Sequence, residues 1–202
     1  VKIVFLLTQS EETLKVFPFP FDFRIGYTIV DSSIAVTYEV VNTGKETMYF
    51  SLGGHPAFAL PLVTDTVYDD YYLEFDQAET TGRWPIAEAG LLKTSSIPLL
   101  TDTKQLPLNK GLFAQDALVL KNLNSSRISL LSRKTEHGLT MDFPGFPFLG
   151  LWAAPGADFL CIEPWCGIAD SVDTMQLWEE KEGINKLEAG ESFVRTWTVT
   201  VF

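Results

Sequence analysis

The sequence has 202 residues, 46% hydrophobic and 13% aromatic, and its 15 basic and 26 acidic residues leave a net charge of −11 at pH 7. A chain of that length can bury about 70% of its unfolded surface, so residues 1–202 are expected to form one domain around their own core, which excludes a disordered chain. The basic residues are scattered and form no stripe for phosphate backbones or anionic lipid, which argues against nucleic acid and membrane partners and for a small molecule.

In chain order, apolar alternation of period two dominates, the mark of half-buried strands. FRIGYTIV (23–30) precedes SSIAVTYEVVN (32–42), where Ile34, Val36, Tyr38 and Val40 share one face and Ala35, Thr37 and Glu39 the other. Asn42-Thr43-Gly44 closes that strand with turn chemistry, and ETMYFSL (46–52) follows it. Further strands are predicted at YYLEFDQ (71–77), ALVLKNL (117–123), RISLLSR (127–133), LTMDF (139–143), DFLCIEPW (158–165) and ESFVRTWTVTVF (191–202). Between them, 59–70 and the Gly/Pro/aromatic stretch FPGFPFLGLWAAP (143–155) read as long loops, where sites tend to be built. Helical spacing is hard to find: MQLWEEKEGINKLEAG (175–190) is interrupted by Gly183 and predicts a turn or short helix. The fold class is all-β, an antiparallel sandwich or barrel.

Two cysteines, Cys161 and Cys166, give neither a disulfide framework nor a zinc pattern, since a tetrahedral site needs more ligands than they and two distant histidines supply. They read as small buried hydrophobes of a reducing compartment. No segment reaches the ~20 apolar residues of a membrane span, and VKIVFLL is too short for a signal-peptide core; the expectation is a soluble cytoplasmic protein.

The residues that could do chemistry are few. His55 lies in FSLGGHPAF, where Gly53 and Gly54 can take backbone angles closed to other residues and Pro56 restricts its neighbour. That frame could aim the imidazole, or it could simply turn a corner. Glu163, in CIEPWCGIAD, shares a strand face with Phe159 and Cys161 beside Trp165. Desolvation there would raise its pKa toward the range of a useful base; the alternative is a structural ion pair. Asp116, Asp142 and Asp170 sit where aspartate commonly caps a loop, and His137 sits in a turn with Gly138. No G-x-S-x-G elbow, phosphate-cradling glycine loop or histidine-rich metal pattern is present. One imidazole, a carboxylate or two and several aromatic faces remain, and flat aromatic faces suit the C–H faces of a pyranose.

SLGGHPAF, QDALVLK and FLGLWAAPGADFLCIEPWCGIAD, with ETLKVFPFPFDFRIGYTI before them, resemble the aldose 1-epimerase (galactose mutarotase-like) superfamily, specifically its LacX-like bacterial branch. SLGGHPAF is similar to that branch's FSIGAHPAF-type motif, and IEPWCGIAD to its EPW-x-G-x-AD motif. The resemblance implies a large antiparallel β-sandwich that interconverts the α and β anomers of a free hexose or related sugar, with no metal or organic cofactor and as a monomer or homodimer. It makes His55 the general acid at the ring oxygen, Glu163 the general base at the C1 hydroxyl, and Asp116 a ligand of sugar hydroxyls; Trp152 and Trp165 are the aromatic binding residues. Acid and base are expected to flank one hemiacetal. Members of the family are longer, with an HGFAR-like motif in an N-terminal part, so this sequence is expected to be the C-terminal two-thirds of such a chain, without its first strands. A non-catalytic sugar-binding or regulatory module is the alternative, and a glycosidase with paired carboxylates a third reading.

Overall fold

A computed structural model describes all 202 residues. The strands, in chain order, are β1 (Lys2–Thr8), β2 (Phe21–Val30), β3 (Ser33–Asn42), β4 (Met48–Phe50), β5 (Leu52–Gly53), β6 (Ala57–Ala59), β7 (Tyr71–Arg83), β8 (Ile97–Pro107), β9 (Leu118–Lys121), β10 (Arg127–Ser132), β11 (Leu139–Asp142), β12 (Phe148–Trp152), β13 (Phe159–Cys166), β14 (Asn185–Leu187) and β15 (Ser192–Val201). Eight of them form one antiparallel sheet in the order β1-β2-β3-β15-β11-β10-β7-β8. A smaller sheet runs β5-β13-β12-β9, with β6 also paired to β13. The expected antiparallel β-sandwich is what the chain forms.

Alternation explains the packing. Val36, Tyr38 and Val40 of β3 and Trp197 and Val199 of β15 are buried, while the intervening hydroxyls pair across strands on the outer face, Thr37 with Thr196 at 2.8 Å and Ser33 with Thr200 at 2.7 Å. From the smaller sheet, Leu118, Leu120, Leu149, Leu151, Leu160 and Ile162 join Leu73, Phe75, Ile128, Leu130 and Met141 of the large one in a single core. This leaves the other face of the small sheet, carrying Val119, Gly150, Trp152, Cys161, Glu163 and Trp165, to build a cleft.

Several strands escaped the sequence reading. β12 lies inside the stretch read as a loop: its residues Phe148–Leu151 are buried, so its apolar run lacks alternation, and Pro144, Gly145 and Pro147 only form the turn before it. β8 carries Pro98 and Pro107 and is tolerated because it is the edge of the large sheet. β1, at the opposite edge, exposes Ile3, Val4, Phe5, Leu6 and Leu7 on both faces and so shows no period. In 175–190 the expected short helix is a single turn at Trp178–Glu180, followed by the unforeseen β14. Helical turns at Glu11–Leu14, Tyr68–Asp70 and Glu88–Gly90 were also missed; in the first, Ser10 and Thr13 form a capping box.

Register shifts in β7 between Glu74 and Glu79 bring an acid inside. Glu79 is 1% exposed, and its carboxylate accepts from the backbone and hydroxyl of Ser125 at 2.8 and 2.6 Å and from the backbone of Asn124 at 3.1 Å. Glu79→Ala would strand these donors. It is expected to cost about 2 kcal/mol in urea unfolding, the penalty of leaving buried groups unpaired.

Candidate active site

The segment Leu52–Ala59 runs antiparallel to β13. Gly53 pairs with Trp165 below a break, and Ala57, Phe58 and Ala59 pair with Cys161, Leu160 and Phe159 above it. The register is the same on both sides of the break, so His55 falls directly opposite Glu163. Pro56 has no N–H to give the ladder, but its carbonyl accepts from Ile162 and Gly54 donates to the carbonyl of Pro164, so the strand is dented rather than ended. Directly opposed residues share a face with their Cβ atoms about 5 Å apart. His55 Nδ1 accordingly lies 2.8 Å from Glu163 Oε1.

The glycine pair serves a purpose other than the one its sequence suggests. Neither Gly53 nor Gly54 has positive φ. Each is needed for close approach: a Cβ on Gly53 would stand 2.5 Å from Trp165 Cδ1, and one on Gly54 2.8 Å from Trp197 Nε1. Beneath Gly54, Trp197 donates to the Tyr38 hydroxyl at 3.0 Å, fixing the underlying core. On the next strand, a Cβ at Gly150 would stand 2.5 Å from Trp165 Cη2. The indole of Trp165 therefore lies flat over two glycines on the strands flanking its own.

The cleft above has a volume of about 420 Å³ and is lined by Ser51 to His55, Glu163 and Trp165, with Ile86, Leu92, Val119 and Ile168 as its apolar wall. His55 is well exposed, whereas the side chain of Glu163 is only 10% exposed. Burial pushes the Glu163 carboxyl above the ordinary range; the nearby His55 and hydrogen bonds from Trp165 and His55 pull the other way without cancelling it. Trp152 stands beside the imidazole, ring centroids 6.0 Å apart, and is braced by Phe159 at 5.7 Å. Below the pair, buried Cys161 has its thiol pushed up to about 11 by burial and by Glu163, which leaves it protonated at neutral pH.

His55, Glu163, Trp165 and Trp152 are thus brought together. Asp116 is not among the cleft residues: it is exposed, in a left-handed conformation (φ 82°), and its carboxylate accepts from the next backbone N–H, of Ala117, at 2.7 Å. Asp142 and Asp170 pair with Arg127 and Lys181, and His137 is exposed in the loop before β11. No lysine or arginine lines the cleft; Arg24 pairs with Asp22 and Glu39, Arg83 with Gln115, and Lys121 with Glu182 while lying 4.0 Å over the Trp84 ring. The wall residues Ile86, Leu92 and Ile168 went unnoticed in the sequence because they come from irregular segments joined by isolated bridges. Gly150 went unnoticed because a glycine in an apolar run carries no mark of the ring above it.

The aldose 1-epimerase family matches residues 1–176. Protein LacX of Lactococcus lactis subsp. lactis is 34% identical over 203 residues, covering 98% of this chain and 68% of that protein. Among solved structures, a galactose mutarotase related enzyme from Lactobacillus acidophilus superposes with a TM-score of 0.90 at 34% identity, over 100% of this chain and 68% of the other. A galactose mutarotase-like protein from Lactobacillus casei gives 0.89 at 30% identity, over 100% and 70%. The sandwich, the paired histidine and glutamate motifs and a match spanning most of its length agree: the chain belongs to the aldose 1-epimerase family.

Proposed function

We propose that the protein is a mutarotase acting on a free hexose or related aldose, with Glu163 as general base and His55 as general acid. The observation that carries this reading is the direct His55–Glu163 opposition at 2.8 Å on the floor of an open cleft. The two groups stand side by side rather than across a gap, and this suits the chemistry. The C1 hydroxyl oxygen and the ring oxygen are bonded to the same carbon, so a neighbouring acid and base can each address one of them. Glu163 takes the proton of the C1 hydroxyl, the C1–ring oxygen bond breaks as the aldehyde forms, and the ring oxygen takes a proton from His55. Rotation about C1–C2 and reclosure by the reverse transfers give the other anomer and restore both groups, so no net proton is needed.

Trp165 and Trp152 supply apolar faces for the sugar ring. Trp152→Ala is expected to raise KM by about 10-fold, in line with the ~0.5–1.5 kcal/mol of an aromatic contact beyond its area, with a smaller change in kcat. Because the lining offers no lysine or arginine, a neutral sugar suits this cleft better than a sugar phosphate. Asp116 has Oδ1 engaged by the Ala117 amide and Oδ2 left to accept from a hydroxyl.

The test is anomer exchange followed by polarimetry or by NMR saturation transfer on freshly dissolved α-anomers. Acceleration over the spontaneous rate supports the reading. A chain whose unfolding midpoint rises with added sugar but which gives no acceleration would instead be the non-catalytic binding module.

A further inference from the structure

The catalytic reading accounts for His55 and Glu163 but leaves the thiol buried beneath them without a task. Cys161 lies two residues before Glu163 on β13, on the same face, 1% exposed. His55 nitrogen, Cys161 sulfur and a Glu163 oxygen all lie within 4.8 Å of one another. Counting only cysteines and histidines, the sequence yields no zinc site; the carboxylate supplies the missing third ligand.

We propose that His55, Cys161 and Glu163 form a three-ligand site for a thiophilic divalent cation such as Zn²⁺, with its fourth position open to the cleft. Zn–S bonds of about 2.3 Å and Zn–N or Zn–O bonds of about 2.0–2.2 Å in tetrahedral array place ligand atoms about 3.5 Å apart. The present spacings, from 2.8 Å for the His55–Glu163 contact up to 4.8 Å, bracket that value. The adjustment falls to the exposed imidazole of His55, which can swing, while Cys161 and Glu163 are held two apart on one strand. Binding displaces the thiol proton, since a coordinated thiol is deprotonated by the ion's own charge. Three protein ligands with one open position is the pattern of zinc sites that remain accessible to small molecules.

Because two of the ligands are the proposed acid and base, the ion and the sugar exclude one another. This inhibitory consequence rests on the mutarotase reading; the binding itself does not. The direct test is titration of the purified chain with Cd²⁺ alone, following the ultraviolet thiolate-to-metal charge-transfer band. One ion per chain is expected, with the band absent in Cys161→Ser and retained in Cys166→Ser. His55→Ala, a change at an exposed side chain, and Glu163→Gln are each expected to weaken binding at least ~10-fold. A band that survives Cys161→Ser, or an affinity indifferent to His55→Ala and Glu163→Gln, overturns the site. In the exchange assay, Zn²⁺ should slow the wild-type chain and spare Cys161→Ser. A chain that binds Cd²⁺ as described yet shows no anomer exchange would leave the site standing and remove only the mutarotase reading.

Discussion

Glu163→Gln is expected to lower the anomer-exchange rate constant by ~10²–10⁴-fold, the range contributed by a positioned proton-transfer group, with KM nearly unchanged. The amide keeps the size of the side chain and can still hydrogen-bond to His55, so sugar binding survives while the C1 hydroxyl loses its proton acceptor. The pH profile gives a second readout. The carboxylate acts only when ionised, so kcat/KM should fall as pH drops through the Glu163 pKa, and the midpoint of that limb should lie above the usual carboxylate range because burial raises it. Stability has the opposite sign. A folded carboxyl with a raised pKa holds its proton at pH values where the unfolded one has lost it, so this group's contribution declines as pH rises from the ordinary carboxylate pKa to the raised one. At neutral pH, Glu163→Gln should therefore leave the unfolding midpoint unchanged or higher. Loss of activity together with a lowered midpoint would point to a structural rather than a catalytic role.

Gly150→Ala should also be severe, although it adds only one methyl group, directly across the sheet from Glu163. That methyl would meet the Trp165 ring at 2.5 Å, and with Gly53 beneath its other edge the indole has no level position left. Overpacking of this kind costs typically 1–3 kcal/mol, measurable by urea unfolding. The larger effect is on rate: lifting the indole moves it away from Glu163, whose carboxyl it helps keep ionised, and misplaces a wall of the cleft, and a 1 Å error in a reacting geometry costs on the order of 10²-fold. Alanine at position 150 with wild-type exchange would show that Trp165 neither orients the base nor holds the sugar.

Much of this was legible in the sequence wherever one face of a strand meets water. β3 and β15 alternate because their outer faces carry threonine and glutamate, and the period gives both the strand and its buried side. β12 and β1 fail for opposite reasons, one covered on both faces and the other open on both, and neither leaves a period to read. The site divides similarly. His55 and Glu163 are marked by glycines, prolines and tryptophan around rare titratable residues. Their mutual distance is a matter of strand register across about a hundred residues, which no local pattern encodes. The glycines of SLGGHPAF were visible, but their cause was not, since the rings they admit, Trp165 and Trp197, lie far along the chain.

The unbroken register across the dent at Pro56 has one more implication. Imidazole and carboxylate are coupled like teeth on facing racks: inserting or deleting a single residue between positions 53 and 57 would turn His55 toward the opposite side of the sheet while Glu163 stayed where it is. Variation in this protein can therefore lengthen the segments that bring Ile86, Leu92 and Ile168 to the wall, and so reshape the cleft, without disturbing the spacing of the imidazole and the carboxylate.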